Sequence, residues 1–164
     1  MEIEIRKLQQ TDYDDIVGLM GELGYPTTLE EITKRFETLQ ADSNYQALVA
    51  IRENQILGFA GLCKALAYEF SGTYVRLLAF VVSSNVRKTG IGKLLLKACE
   101  NWAIEQGAGF ITLNSGNREE RQSAHNFYKN SGYIGKSTGF SKNYYNLCKQ
   151  LFNYSNAYFT IGAD

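Results

Sequence analysis

A single proline, a single histidine and an absence of net charge mark this chain before any motif does. With only Pro26 among 164 residues, and 45% of them apolar, the composition is that of a folded globular protein and excludes a proline-rich linker or a disordered tail. Lys+Arg and Asp+Glu balance at 17 each, so no global positive field gathers nucleic acid or an anionic membrane, and neither is expected as a partner. The three cysteines, Cys63, Cys99 and Cys148, are odd in number and far apart. They offer neither a disulfide framework nor paired metal ligands, and the lone His125 adds too little for a metal site, so no metal is expected. That usage fits a reducing, intracellular setting. No run of about 18 apolar residues occurs. The opening "MEIEIRKLQQ" alternates and carries charge where a secretory signal has an apolar core. A soluble cytoplasmic protein is therefore expected. At this length one domain can bury roughly 68–70% of its unfolded surface, whereas two independent domains would be cramped.

The hydrophobic pattern changes period along the chain. "MEIEIRKL" alternates, with Ile3 and Ile5 on one face, as an edge strand does. "TDYDDIVGLMGEL" starts a helix at Thr11 or Asp12 and carries Ile16, Leu19 and Met20 on its apolar face. Gly24, Tyr25 and Pro26 break it. "TTLEEITKRFETL" then resumes with a stripe of Leu29, Ile32, Phe36 and Leu39, and with Glu30 spaced to pair with Lys34. From Tyr45 the period is that of strands: "YQALVAIRE", a tight reversal at "NQ" (54 and 55), and "ILGFAGLCKALAY" with bulges at its glycines. "FSGTY" turns the chain into "VRLLAFVVS", a more continuously apolar strand suited to mid-sheet.

Beyond it, Ile91, Leu94, Leu95, Ala98, Cys99, Trp102 and Ala103 recur at helical spacing. "GAGFITLNSG" is the next strand, parallel to the last because a helix intervenes. "REERQSAHNFYKNSG" is a shorter helix ended by Gly132, and "YIGKS" with "TGFSKNYYNL" predict two short final strands. The expected fold class is α/β, with a mixed, mostly antiparallel central sheet of about six to seven strands flanked by helices. Residues 1–147 form the expected domain. The aromatic extension 148–164, with Phe152, Tyr154, Tyr158 and Phe159, is expected to pack on that domain or on a partner subunit, which makes a homodimer the expected assembly.

The stretch "RKTGIG", residues 87–92, joins a strand to a helix and puts two glycines beside two cations. A dinucleotide fingerprint needs a third glycine where Leu95 stands. A phosphate loop of the G-x-x-x-x-G-K-[ST] type fails because Leu94 follows Lys93, and "GKS" at 135–137 has Asn130 where its first glycine belongs. A physical reading remains. Gly90 and Gly92 let backbone N–H groups approach an anion, the helix beginning near Ile91 adds its unsatisfied donors, and Arg87, Lys88 and Lys93 supply charge at the rim. A strand-to-helix turn that simply needs one glycine is the alternative.

At this point the chain resembles the GNAT superfamily of acyl-CoA-dependent N-acetyltransferases. Its pyrophosphate signature [QR]-x-x-G-x-[GA] is met by Arg87-Lys88-Thr89-Gly90-Ile91-Gly92, and its preceding strand by "LLAFVVSSNV". Its later segment is met by Ala124, Phe127, Tyr128, Gly132 and Tyr133. In element order the resemblance covers about residues 3–145. It implies that acetyl-CoA is the cosubstrate and that the backbone from Arg87 and Lys88 to Lys93, including Thr89, Gly90, Ile91 and Gly92, holds the pyrophosphate. It further implies that Phe80, Val81 and Val82 bond the pantetheine arm as another strand would, and that a gap between this strand and the one at 109–115 admits the thioester.

Amide formation from a thioester needs a neutral amine, a donor where oxyanion charge develops, and a proton for the leaving thiolate. The resemblance puts Tyr128 beside the sulfur as the acid, with direct transfer and no acyl-enzyme. The backbone N–H of Val82 or Val81 is the oxyanion donor. His125 precedes Tyr128 by three residues and suits a base by its usual pKa, yet solvent or the pantetheine arm are equally open to it.

Two departures from the family pattern stand out. Leu77, Leu78, Ala79 and Phe80 occupy the strand positions where many members carry an acid that deprotonates the amine. Glu69 from the neighbouring hairpin is the candidate in its place, with Glu22, Glu30 or water as alternatives. Arg121 stands where asparagine often contacts the coenzyme, and it is expected to meet either the coenzyme or an acidic group of the acceptor.

The activity expected is acetyl transfer to a primary amine of a small molecule. A peptide or protein acceptor, or a non-catalytic acyl-CoA-binding module, are the alternatives. Tyr25, Phe36, Tyr68, Phe70, Tyr74 and Phe140 are candidate walls of the acceptor site, favouring a compact or amphipathic amine over a polycation.

Overall fold

The computed structural model describes residues 2–142, in two compact units, Met1–Asn114 and Ser115–Asp164. The first unit is built on a sheet of β1 (Glu4–Lys7), β2 (Tyr45–Arg52), β3 (Gln55–Leu66), β4 (Thr73–Val82) and β5 (Ala108–Leu113), in that spatial order. Neighbours from β1 to β4 are antiparallel. β5 is parallel to β4 because α3 (Ile91–Glu105) crosses between them. The α/β class and the mixed sheet are as expected, with five strands among the described residues instead of six or seven. The expected final hairpin accounts for the difference. Residues 133–142 form no strand and 143–147 lie outside the described residues, as do Cys148 and the 148–164 extension. Ile134 is 75% exposed, so "YIGKS" buries no face that would fix a strand register.

Each strand feeds two cores because its side chains alternate. Val49 of β2 and Phe59 of β3 pack with Ile16 of α1 (Tyr13–Leu23) and with Ile32 and Phe36 of α2 (Leu29–Gln40). On the opposite face Ala50 and Leu57 pack with Ile91 of α3. Phe36 is the hinge of the first core, stacked on Phe59 at 5.6 Å and meeting the Tyr13 ring edge-on at 5.3 Å. α2 begins where Thr28 and Glu31 form a capping box, and Glu30 pairs with Lys34 at 2.7 Å as its spacing predicts.

The start of α1 differs from expectation. A short 3₁₀ turn, Gln10–Asp12, precedes it, and the Asp12 carboxylate does not cap α1. It accepts two hydrogen bonds from Arg6 and one from the Gln9 amide. The reversal between β2 and β3 also lies one residue earlier than "NQ": Glu53 and Asn54, both at positive φ, form the two-residue turn, and Arg52 pairs with Gln55.

Two irregularities shape the sheet. Ala50 faces Gly58 while Ile51 faces Ile56, leaving Leu57 as an extra residue beside a glycine, as predicted for this strand. The second was not foreseen. Gly61 faces Ala79 and Leu62 faces Leu77, so Leu78 is the extra residue of β4. Among the described residues no helix is long and apolar enough to cross a membrane.

Candidate functional site

The bulge at Leu78 marks a change in what β4 touches. Its pairing with β5 ends at Leu77 and Leu113, so from Leu78 to Val82 its second edge has no β5 partner. Peptide groups of a strand face alternate edges. The Ser83 amide donates to the Leu57 carbonyl at 2.9 Å, and a Cβ built on Gly58 would stand 3.1 Å from the Val81 carbonyl, so residues 81 and 83 face β3. The amide of Val82 is therefore aimed away from β3, at the edge that β5 leaves beyond Leu77. An extended ligand can add to such an edge by main-chain hydrogen bonds. Of the two oxyanion donors considered from sequence, Val82 is the one whose amide faces away from β3.

The open edge runs into the glycine loop. A 3₁₀ turn, Ser84–Val86, is followed by Lys88 at φ 65° and Gly90 at φ 92°. A lysine in the left-handed region is an unfavourable backbone state of the kind that collects at ligand-binding loops. Gly90 opens α3, and a Cβ built on it would meet nothing within 4 Å, so the space before the helix is clear. The amides of Lys93 and Leu94 turn back to the Gly90 carbonyl at 3.0 and 3.2 Å. Those of Gly90, Ile91 and Gly92 make no such bond among the described residues, and no side chain caps the helix. Ile91 is buried against the α3-side core and anchors the turn, while Thr89 Oγ1 donates to the Val86 carbonyl at 2.6 Å. Lys88 and Lys93 are exposed at the rim. An anion of pyrophosphate size fits this arrangement of clear space, unbonded donors and cations.

Gly92 is at negative φ, unlike Gly90, so a side chain is tolerated there by the backbone. Gly92→Val is accordingly expected to keep or slightly raise thermal stability, since valine is the better helix former. Its branched side chain would stand over the donor amides, and acetyl-CoA affinity measured by calorimetry should fall at least tenfold. Unchanged affinity would make the loop only a turn.

Arg87 and Glu22 take roles the sequence did not disclose. Arg87 Nε donates to the Val82 carbonyl at 3.1 Å, and its Nη2 reaches the Glu22 carboxylate on α1 at 3.2 Å. Glu22 also accepts the Ser84 amide at 2.7 Å. These bonds brace the loop against α1, and they commit Glu22 to holding Ser84 and Arg87, away from a role as base. Glu30 is committed as well, since its bond to Lys34 holds its carboxyl below the ordinary value. Glu69 lies in the exposed turn between β3 and β4. β4 begins at Thr73, seven residues before Phe80, so this turn stands about 20 Å along the sheet from the open edge.

A cleft of about 140 Å³ lies on the α1/α2 side of the same unit, walled by Met20, Phe36, Leu39, Phe59, Leu78 and Ala79. Of the aromatic walls expected from sequence, Phe36 lines it. Tyr74 stacks on Phe110, which Phe70 also contacts, and Tyr25, Tyr68 and Phe140 are exposed.

In the second unit, α4 (Gln122–Asn130) carries Tyr128, His125 and, at its N-cap, Arg121. Gly132, at φ 88°, ends the helix: its amide donates to the Lys129 carbonyl at 3.1 Å and that of Tyr133 to the Tyr128 carbonyl at 3.0 Å. This is the paired bonding of a Schellman stop, and the Tyr133 ring lies 5.8 Å from that of Tyr128. The glycine-aromatic pair downstream of the tyrosine thus fixes the Tyr128 ring by ending its helix and packing on it. His125 Nε2 lies 2.9 Å from the Gly116 carbonyl. A carbonyl only accepts, so Nε2 carries the proton, and the ring ties the loop before α4 to the helix.

Residues 4–133 match the acetyltransferase (GNAT) family. A curated relative, the uncharacterized N-acetyltransferase YhdJ of Bacillus subtilis (strain 168), is 32% identical over 127 residues, which cover 76% of this chain and 86% of the relative. The crystal structure of a GNAT family acetyltransferase from Staphylococcus aureus subsp. aureus USA300_TCH1516 is 36% identical. It superposes with a TM-score of 0.76 over 87% of this chain and 99% of its own. An aminoglycoside N-acetyltransferase solved in complex with CoA shares the fold, with a TM-score of 0.77 over 87% of this chain and 94% of its own, at 17% identity. The chain belongs to the GNAT family of acetyltransferases, whose acetyl donor is acetyl-CoA.

Proposed function

We propose that the protein transfers the acetyl group of acetyl-CoA directly to a primary amine of a small molecule. The observation that carries the reading is the β4 edge that β5 leaves beyond Leu77, running into the amides of Gly90, Ile91 and Gly92, which make no backbone bond among the described residues. Acetyl-CoA supplies an acetyl group activated as a thioester. The backbone from Lys88 to Lys93 holds its pyrophosphate, and Phe80, Val81 and Val82 supply the strand that aligns its arm. Arg87 braces this loop and Arg121 contacts the coenzyme from α4.

The Val82 amide donates to the carbonyl oxygen as negative charge gathers there. The amine nitrogen bonds the carbonyl carbon and gives up a proton, the carbon–sulfur bond breaks, and Tyr128 passes its phenolic proton to the sulfur. Solvent then restores the phenol. With Glu22 and Glu30 committed elsewhere, water takes the amine proton, and His125 positions the loop at Gly116.

Calorimetric titration with acetyl-CoA, and with acetyl-pantetheine lacking the pyrophosphate half, tests the donor site. An amine screen read by free thiol tests the transfer. Micromolar binding that weakens without the pyrophosphate supports the reading, and binding with no thiol release from any amine supports a non-catalytic acyl-CoA module. Glu69→Gln is expected to leave the low-pH limb of the rate profile unchanged, because its turn is remote from the open edge. A flattened limb would restore Glu69 as the base.

A further inference from the structure

The cleft on the α1/α2 face shares Leu78 and Ala79 with the point at which β4 opens. Whatever fills the cleft therefore has one part within a few residues of the Val82 amide along β4. Its chemistry is narrow. Gln40 accepts from the Tyr13 hydroxyl at 2.9 Å and donates to the Leu8 carbonyl at 3.4 Å, while Gln46 donates to the Ala47 carbonyl at 3.0 Å. The side-chain amides of Gln40 and Gln46 are thus engaged with the protein. Among the described residues no carboxylate lines the cleft, and the one charged residue that does, Arg35, has the same sign as an ammonium ion. An ammonium group inside would lose its water and gain no counter-charge. The volume of about 140 Å³ is that of a benzene-sized group, since apolar cavities of about 150 Å³ stay dry and take up benzene.

We infer that the cleft seats the apolar body of the acceptor, so that the substrate is a primary monoamine bearing an aromatic ring or a branched chain of about four to six carbons. This rests on the acetyl-transfer reading for its chemistry and on the cleft alone for its specificity. The amine nitrogen stays at the mouth, beside the β4 bulge, and the ring or chain displaces no satisfied polar group. A diamine of equal length is rejected because its second ammonium would enter the apolar end.

The test compares ethylamine, butylamine, 3-methylbutylamine and 2-phenylethylamine with 1,4-diaminobutane and spermidine. Thiol release is followed, and separately 2-phenylethylamine is titrated by calorimetry into the protein without any coenzyme. kcat/KM is expected to rise about fourfold for each methylene buried, and 1,4-diaminobutane to fall at least tenfold below butylamine. Ala79→Leu fills the cleft and should end the rise two or three carbons earlier and abolish 2-phenylethylamine binding. Leu39→Trp, from the α2 wall, serves if that variant does not fold.

Turnover that is flat across the series, or that favours the diamine, overturns the inference and leaves acetyl transfer standing. Absence of thiol release together with 2-phenylethylamine binding that either variant abolishes keeps the cleft and removes the transfer. Absence of both removes both.

Discussion

Tyr128→Phe lowers kcat for acetyl transfer by an expected 10²- to 10³-fold or so, and leaves acetyl-CoA affinity within about twofold. The substitution is close to a pure deletion of the phenolic oxygen. The Tyr128 ring meets Phe127 at 5.3 Å and Tyr133 at 5.8 Å, and its main-chain carbonyl accepts the Tyr133 amide, contacts that phenylalanine retains. The helix stop at Gly132 is also untouched. On the proposed mechanism, what is lost is a proton donor for the leaving thiolate. A phenol of pKa about 10 giving its proton to a thiolate whose thiol has a pKa of about 8.5 works uphill by roughly 2 kcal/mol. Geometry and the local field have to offset that cost, so the donor acts only where it is held beside the sulfur. Stopped-assay thiol release and calorimetric binding, taken together, separate the possibilities. Equal kcat in parent and variant would remove Tyr128 as the acid, and parallel loss of binding and rate would assign it to holding the coenzyme.

Much of the donor site is legible in the sequence because it rests on local rules. α3 declares itself through Ile91, Leu95, Cys99 and Ala103, buried residues at helical spacing, although Leu94 of the expected stripe is exposed and Leu96 is buried instead. The loop before it declares itself through two glycines and three cations next to a helix start. Gly132 is visible as a stop for α4 for the same reason. What the chain conceals depends on pairing between distant segments. The bulge at Leu78 exists only in the register of β4 against Gly61 and Leu62, and nothing in "VRLLAFVVS" marks the extra residue. The direction of the Val82 amide follows from that register too. Glu22 was visible only as a carboxylate, because Ser84 and Arg87, which engage it, lie more than 60 positions away. The final hairpin shows the converse error: "YIGKS" is expected as a short strand, yet Ile134 is exposed and buries no face.

Arg6 and Asp12 form another feature that the sequence hides, a largely buried ion pair on which the fold's stability depends. Two guanidinium nitrogens meet the two carboxylate oxygens at 2.6 and 2.8 Å, the Gln9 amide adds a third bond at 2.8 Å, and the Asp12 side chain is only 7% exposed. The pair ties the four-residue edge strand β1 to the start of α1. Asp12→Asn keeps the shape and removes the charge, leaving Arg6 largely desolvated beside a neutral amide. The expected loss is about 2–4 kcal/mol of folding stability at neutral pH, read by chemical denaturation.

Its pH dependence gives a sharper criterion. The bond from Arg6 first, and that from Gln9 with it, hold the Asp12 carboxyl below its ordinary range against the opposing effect of burial. In the unfolded chain it titrates near 3.9, roughly. A depressed folded value means that the stabilisation is complete above the unfolded value and is lost as pH falls through the folded one. The gap in stability between parent and Asp12→Asn should hold from pH 7 to about 5 and then close progressively below about 4. A gap that stays constant into acid would mean that the variant suffers from altered packing, and that the charge of Asp12 contributes little.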